Sequence, residues 1–138
     1  TMRITREHIE TMIRQARAEA PNEACGLLAG ANGVVTAVHC LENADHSPHT
    51  YELTAEGYRL LMELDDSGQL VGVFHSHTQT EAYPSPTDRR KAFWPIYYVL
   101  VSLQDRAQPV VRAFRIVKDD QLEAEDLGQV IEEGLEVV

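Results

Sequence analysis

The chain has 138 residues, of which 43% are hydrophobic and 25% charged, and its formal net charge is −10. These values are typical of one globular domain with a hydrophobic core, so we expect a single domain over residues 1–138. The negative charge argues against nucleic acid as a partner, because phosphate binding needs clustered Lys and Arg. No apolar run could cross a bilayer, and TMRITREHIE lacks the apolar core of a secretory signal, so we expect a cytoplasmic protein without membrane contact.

The first third of the chain predicts a helix followed by a hairpin. Residues 4–20 carry apolar side chains at helical spacing on one face, with Thr5 as a candidate N-cap. The helical apolar residues are Ile9, Met12, Ile13 and Ala16. Residues 24–29 and 34–41 are apolar strands joined by the turn GANG, which predicts an antiparallel pair. Two cysteines cannot staple a domain of this size, so Cys25 and Cys40 are expected to be reduced thiols packed as small apolar groups.

A polar loop over residues 42–50 precedes a second predicted helix, which Thr54 caps and which extends to Asp66. The side chains that follow its helical period are Tyr58, Leu61, Met62 and Asp65. Residues 70–77 then form a strand whose continuous apolar start is typical of the middle of a sheet.

The remaining pattern is a short helix and two strands. The helix begins at Ser85 and must end before Pro95. Residues 96–103 and 110–117 are the strands, separated by the turn QDRAQP. The segment at about 118–138 holds eight carboxylates and one lysine, which indicates a solvated acidic face or a surface that steers a basic partner. The order of elements predicts an α/β fold, a mixed sheet with helices packed against it.

The stretch FHSHTQTEAYPSPTD, residues 74–88, carries most of the chemistry. His75 and His77 are two positions apart on a predicted strand, so both imidazoles point to one face while Ser76 faces away. Neutral imidazole binds zinc well, and Asp88 is a suitable third donor. Three protein ligands leave a fourth position open, which is the catalytic rather than the structural zinc pattern. Iron and cobalt suit the same donors.

The same stretch can be interpreted without a metal. Ser85-Pro86-Thr87-Asp88 is a good helix start, because serine caps, proline suits the first turn and an acid follows at the third position. Two histidines on one strand can also be polar core groups held by hydrogen bonds. On spacing alone, both interpretations stay open.

Glu23 stands at the mouth of the first apolar strand. If that strand neighbours residues 70–77, Glu23 lies beside the metal. A carboxylate in that place can take a proton from the attacking water and hand it to a leaving amine. The alternative is an exposed loop carboxylate, the default for a single glutamate.

Taken in order, Glu23, His75-Ser76-His77, Ser85 and Asp88 resemble the JAMM motif of the JAB1/MPN/Mov34 metalloprotease family, with no position missing. The resemblance spans at least Ile4 to Val117. The string HSHTQTEAYPSPTD, with YYVLVSLQD after it, looks closest to the actinobacterial sulfur-carrier-protein cysteine hydrolases. The resemblance implies an MPN domain, cytidine-deaminase-like, with a curved mixed sheet flanked by helices.

The roles of the motif residues follow from the resemblance. It implies one zinc ion per chain bound by His75, His77 and Asp88, with Glu23 as general base and Ser85 as donor to the oxyanion. It implies hydrolysis of the amide bond after the C-terminus of a ubiquitin-like sulfur carrier, which releases cysteine in cysteine biosynthesis. Two alternatives stay open: an isopeptidase that removes ubiquitin-like modifiers from lysines, and a non-catalytic MPN scaffold.

The tail of the carrier protein is expected to enter extended and to add a strand to an exposed sheet edge. Candidate contacts are Thr78 and Tyr83, in the loop after the histidine strand, and His49 in the polar loop. Neighbouring candidates in the polar loop are His46, Ser47, Pro48 and Tyr51. The pattern specifies no oligomeric state.

Overall fold

The computed structural model describes residues 1–120, 123 and 125–138. Its strands form one mixed eight-stranded sheet in the order β7-β6-β5-β4-β2-β3-β1-β8. The strands are β1 (Met2–Ile4), β2 (Cys25–Ala31), β3 (Val34–Leu41), β4 (Leu70–His77), β5 (Tyr97–Ser102), β6 (Val110–Val117), β7 (Gln129–Glu133) and β8 (Leu135–Val137). The helices are α1 (Arg6–Glu19), α2 (Ala55–Asp66) and α3 (Pro86–Arg90). The predicted α/β class, a mixed sheet flanked by helices, is confirmed.

The histidine strand lies inside the sheet. β4 pairs antiparallel with β2 and parallel with β5. β2 also pairs antiparallel with β3, which confirms the predicted hairpin, and β6 pairs antiparallel with β5. A strand with neighbours on both sides keeps its side chains in register across the sheet, so β4 is a rigid platform for the residues at its end.

Helices cover the two faces of the sheet. Ile9, Met12 and Ala16 of α1 are buried against one face, where Phe74 of β4 joins the same cluster. Against the other face, α2 buries Leu61 and Leu64 with residues of β2 and β4. Successive side chains of β4 point to opposite faces, so His75 and His77 point away from the face of Phe74 and lie on the α2 side. Thr5 and Thr54 cap their helices as predicted, each accepting a hydrogen bond from a backbone N–H three residues on.

Only part of the predicted helical stripe of α2 is buried, and the buried face is rotated relative to the prediction. Tyr58 is 44% exposed and Met62 54% exposed, whereas Gly57, Leu61 and Leu64 are buried. Gly57 explains the difference, because a Cβ at that position would lie only 3.2 Å from the Cβ of Leu53. The glycine lets the helix approach Leu53 closely on the side that also carries Leu61 and Leu64.

Three short strands were not predicted. Residues 2–4 form β1, so Ile4, the predicted first residue of the helix, is a strand residue and α1 begins at Arg6. The acidic segment supplies β7, beside β6, and β8, beside β1, with Gly134 between them. One short segment thus forms both outer strands and brings the two ends of the sheet together. Positions 121, 122 and 124 of the segment lie outside the described residues.

The acidic side chains of the outer strands have basic partners. Glu132 accepts two hydrogen bonds from Arg112, at 2.7 and 3.0 Å, and Glu136 accepts one from Arg3 at 3.1 Å. The acidic segment is therefore part of the sheet, and Glu132 and Glu136 stay about half exposed, as the predicted solvated face requires. Of the candidate core cysteines, Cys25 is buried as expected, but Cys40 is exposed on β3.

Among the described residues, no helix combines the length and apolar character that crossing a membrane requires.

Candidate metal centre

Three donor atoms meet where β4 ends and α3 begins. The Oδ2 atom of Asp88 lies 3.1 Å from the Nε2 atoms of both His75 and His77, and the two Nε2 atoms lie 3.3 Å apart. With metal–ligand bonds of about 2.0–2.2 Å, donors of a tetrahedral zinc ion lie roughly 3.3–3.5 Å apart. The triangle is therefore close to the size that one metal ion needs. No other set of three such ligands occurs in the described part of the chain.

The pairing of β4 with β2 holds the two histidines in place. Cys25 lies opposite His75 in the antiparallel register. Ser76 faces away from the histidines, as predicted, and its hydroxyl accepts a hydrogen bond of 2.7 Å from the backbone N–H of Ala24. The N–H of Ser76 donates in turn to the carbonyl of Ala24 at 3.0 Å. The serine between the histidines therefore joins β4 to the residue that follows Glu23, a contact that the sequence analysis did not identify.

The contacts of His77 determine which of its ring nitrogens faces the centre. Its Nδ1 atom lies 2.9 Å from the carbonyl oxygen of Glu81. A carbonyl only accepts, so Nδ1 carries the proton, and Nε2 of the neutral ring presents its lone pair to the Asp88 carboxylate. Two facing acceptors repel each other unless a metal cation or a proton lies between them, and against the effect of burial the contact with Asp88 raises the pKa of His77. This donor set fits a metal ion.

The ring of His75 is held by packing. It stacks on the ring of Tyr51, with centroids 4.5 Å apart and an interplanar angle of 25°. Its Nδ1 atom is buried and has no hydrogen-bond partner among the described residues. Tyr51 was predicted as a candidate substrate contact, and the structure places its ring directly against a candidate ligand.

Asp88 belongs to the helix cap and to the centre at the same time. Its Oδ2 atom accepts from the Ser85 N–H at 2.9 Å, while the Ser85 hydroxyl accepts from the Asp88 N–H at 3.1 Å, which completes the predicted capping box. Burial opposes ionisation of Asp88, but the His75 ring and the hydrogen bonds outweigh burial and hold the pKa of Asp88 well below its usual range. The capping and metal interpretations of this stretch are therefore compatible.

Glu23 is buried beside the histidines. It is only 4% exposed, and its Oε1 atom has no hydrogen-bond partner in the part of the chain that the structure describes. It precedes Cys25 by two residues, so the two side chains share the face that carries His75 and His77. Burial raises the pKa of Glu23 to about 7, although His75 opposes the shift. The alternative of an exposed loop carboxylate is wrong, and a buried, unpaired acid is typical of a functional group.

A buried asparagine fixes the backbone around Glu23. The Nδ2 atom of Asn43 donates to the carbonyls of Glu23 and Thr50, each at 3.0 Å. Its Oδ1 atom accepts from the N–H groups of Asp45 at 3.0 Å and Glu52 at 3.1 Å. One side chain thus holds both the strand of Glu23 and the loop of Tyr51. Asn43 was not predicted, because an asparagine in a polar loop gives no sign that it is buried.

The predicted substrate contacts lie in three different surroundings. Thr78 is buried and its hydroxyl donates to the carbonyl of Pro21 at 3.3 Å. Tyr83 is 40% exposed and its ring packs edge-on against Phe114. His49 is exposed in the loop between β3 and α2. Their roles in substrate binding stay predictions.

Strand addition at a sheet edge also stays a prediction, and the topology sets a condition on it. β4 is three strands from the nearer outer strand, β7. At about 4.8 Å per strand this is roughly 14 Å. A tail added at that edge would have to continue over this distance to reach the histidines.

Comparison with known proteins identifies relatives along most of the chain. The family model of prokaryotic homologues of the JAB domain matches residues 5–117. A CysO-cysteine peptidase from Mycobacterium tuberculosis is 38% identical over 135 residues, covering 94% of this chain and 86% of the relative. A desampylase from Haloferax volcanii is 38% identical over 95 residues, covering 65% and 68%. A solution structure of a protein from Desulfitobacterium hafniense superposes with a TM-score of 0.81 at 34% identity, covering 100% and 93%.

The donor triangle predicts that metal content depends on His77. We expect about one metal ion per chain in the wild type and a loss of most of it in His77→Ala, because two ligands bind far more weakly than three. Elemental mass spectrometry of purified protein measures this directly. His49→Ala removes an exposed imidazole and is the matched control. Equal metal content in the wild type and His77→Ala would contradict the assignment.

The buried Glu23 predicts that the unfolding free energy of the metal-free protein depends on pH. Its folded pKa of about 7 exceeds the ordinary glutamate pKa of 4.5, so the folded state binds more protons between these values. The unfolding free energy should therefore fall as pH rises through this window, by up to about 3 kcal/mol. Glu23→Gln should lack this component, as measured by urea denaturation of metal-free protein at several pH values.

Glu10→Gln, which removes an exposed carboxylate from α1, should keep the wild-type pH dependence. The same change of unfolding free energy with pH in the wild type and in Glu23→Gln would contradict a raised pKa of Glu23.

Proposed function

The chain belongs to the family of prokaryotic homologues of the JAB domain, and we propose that it is a zinc-dependent hydrolase. Its substrate in this proposal is a ubiquitin-like sulfur carrier with cysteine joined to the C-terminus. Hydrolysis of that amide bond frees the carrier carboxylate and cysteine, a step in cysteine biosynthesis. The observation that carries the proposal is the buried Glu23 beside the triangle of His75, His77 and Asp88. The similarity to a CysO-cysteine peptidase supports the choice of substrate.

The donor triangle is proposed to hold one zinc ion per chain. His75 and His77 contribute imidazole nitrogens, and Asp88 contributes a carboxylate oxygen that also caps α3. A zinc ion bound there supplies a Lewis acid that polarises the scissile carbonyl and acidifies water. The Glu81 carbonyl keeps the proton of His77 on Nδ1, so that the Nε2 lone pair stays directed at the centre.

Glu23 is proposed as the general base. Its unpaired Oε1 atom is free to accept a proton from the attacking water, and burial brings its pKa near neutrality. An acid with such a pKa can give the proton back, so Glu23 can protonate the leaving amine as the carbon–nitrogen bond breaks. The contacts of Asn43 and Ser76 hold the backbone that carries this carboxylate.

Ser85 is proposed to stabilise the oxyanion. In the helix cap its hydroxyl oxygen accepts from the Asp88 N–H through a lone pair. A serine hydroxyl also has one O–H donor, and the cap does not use it. That donor can bond to the carbonyl oxygen as negative charge develops on it during attack.

An isopeptidase that removes ubiquitin-like modifiers from lysines is the second candidate. The similarity to a desampylase supports it, and the proposed roles of the five motif residues would be the same for both bonds. The two substrates differ in what leaves, a free amino acid or a lysine side chain of a protein. A non-catalytic scaffold is disfavoured, because a scaffold has no need to bury an unpaired Glu23.

The cleavage assay uses CysO, the protein that gives the Mycobacterium tuberculosis relative its name, as the carrier. It compares two CysO conjugates, one with a C-terminal cysteine and one joined to a lysine side chain. We expect the zinc-loaded wild type to release cysteine and to cleave the lysine conjugate more slowly. Glu23→Gln should retain zinc and lose most turnover. Mass spectrometry of the CysO product and elemental analysis of each variant provide the readouts.

Preferred cleavage of the lysine conjugate would establish the second candidate. Near wild-type turnover by Glu23→Gln would remove the base assignment, and no cleavage of either conjugate by zinc-loaded protein would favour the scaffold.

Replacement of Ser85 separates its role in the cap from its role in catalysis. We expect Ser85→Ala to keep zinc and to lower kcat by about 10²-fold or more. Ser85→Gly also removes the hydroxyl, but it costs the helix cap only a few tenths of a kcal/mol. Both variants should therefore lose similar activity, while Ser85→Ala loses more stability in thermal unfolding. Normal kcat in Ser85→Gly would leave Ser85 as a capping residue alone.

A further inference from the structure

An open apolar cavity adjoins the candidate metal centre. Its volume is about 280 Å³, and its apolar lining includes Leu61, Trp94 and Tyr98. Tyr51 also lines it, and the ring of Tyr51 stacks on His75. The cavity is thus one aromatic ring away from a proposed metal ligand, and neither the proposed mechanism nor the sequence analysis assigns it a role.

Two charged residues, Glu52 and Lys91, belong to the cavity lining. Their side chains are 39% and 43% exposed, so a molecule that enters the cavity can reach them from solvent. The Nζ atom of Lys91 lies 3.7 Å from a carboxylate oxygen of Glu52 and 3.5 Å from the carbonyl oxygen of Tyr51. The hydroxyl of Tyr58 donates a hydrogen bond to the other carboxylate oxygen of Glu52. These contacts keep the ammonium group at the cavity.

Lys91 is tied to the candidate centre from two directions. It is the C-cap residue of α3 and follows Asp88 by three positions, a spacing that brings side chains of a helical turn to neighbouring places on its surface. Through the Tyr51 carbonyl it also contacts the residue that stacks on His75. An ammonium has three N–H donors, of which one donates to the Tyr51 carbonyl, while Glu52 at 3.7 Å forms an ion pair. Donors are left for a ligand.

The neighbouring cations of α3 are engaged elsewhere or exposed. Arg89 donates to the carbonyls of Leu127 at 2.8 Å and Gly128 at 2.6 Å. The side chain of Arg90 is exposed and is not part of the cavity lining. Within the described chain, Lys91 is therefore the cation that the cavity offers to a negatively charged group.

We propose that Lys91 binds the free α-carboxylate of the amino acid that the enzyme releases, and that it is a specificity-determining residue for a C-terminal amino acid. This inference rests on the proposed function. In a carrier–cysteine conjugate, the carbon next to the scissile nitrogen bears the carboxylate, so the anion must lie close to the reacting bond. A lysine isopeptide has no carboxylate at this place. The strongly acidic chain, with a net charge of −10, would otherwise repel such an anion.

The test removes the charge from the enzyme and from the substrate in turn. The substrates are CysO with a C-terminal cysteine and CysO with a C-terminal cysteine amide, which lacks the anionic carboxylate. The enzymes are the wild type, Lys91→Met and Arg90→Met, the last of which removes an equal charge from the same helix. Metal content and melting temperature are measured for each variant, and Lys91→Gln replaces Lys91→Met if that variant is unstable.

We expect the wild type to prefer the acid over the amide by about tenfold to a hundredfold in kcat/KM, mainly through KM, as for a hydrogen bond between charged groups. Lys91→Met should lower kcat/KM for the acid to that for the amide and leave the amide value unchanged. Arg90→Met should keep the wild-type preference. Equal cleavage of both substrates by the wild type, or an equal loss for both in Lys91→Met, would overturn the inference and leave the proposed function intact.

A binding measurement tests the inference separately from turnover. The acid and the amide are titrated by calorimetry against Glu23→Gln and against Glu23→Gln combined with Lys91→Met. Tighter binding of the acid that disappears with Lys91→Met supports the inference even if neither substrate is cleaved, a result that would count against the proposed function alone. Equal binding of acid and amide to Glu23→Gln would overturn it.

Discussion

The register between β2 and β4 is the constraint on which the site depends. With Cys25 opposite His75, the face that carries both histidines also receives Glu23. A slip of one residue would turn His75 and His77 to the α1 side and leave Glu23 alone. The register is held by more than the strand ladder, because the Ser76 hydroxyl bonds to the Ala24 N–H beside the base. The small polar residue between two ligands thus has a structural reason for its position.

The site also shows how groups that destabilise a fold are retained. Glu23 is buried without a partner for Oε1, and the His75 and His77 rings face the same Asp88 oxygen. Each arrangement is unfavourable in the absence of a cation or a proton, and together they prepare the donors before any ligand arrives. The capping box of α3 limits the cost, because the Ser85 N–H gives the Asp88 carboxylate a hydrogen bond that does not depend on the histidines.

Much of the site could be predicted from the sequence because its signals are local. The spacing of two on β4 and the S-P-x-D start of α3 each depend on a few adjacent residues, and the bounds of β3, α2 and β4 agree with the prediction. The missed features depend on distant partners. β1 and β8 are three residues long and depend on partners far away in the sequence, since β1 pairs with β3 and β8, and the buried role of Asn43 depends on the chain folding around it. The face of α2 was partly misjudged because Gly57 lies on its buried side and adds nothing to an apolar pattern.

The joining of both sheet ends by β7, Gly134 and β8 has a consequence for the folding reaction. β8 pairs with β1, and the ion pair between Arg3 and Glu136 on these strands joins residues 133 positions apart in the sequence. Contacts of such high contact order close very long chain loops, whose entropy must be lost before the contact forms, so they slow folding. The β2–β3 hairpin closes a short loop, and its pairing with β4 closes a much shorter one than the sheet ends do, since Cys25 and His75 are 50 positions apart. We therefore expect the site-bearing strands to assemble first and the sheet ends to join late, so that the slowest folding step lies far in the sequence from the catalytic groups.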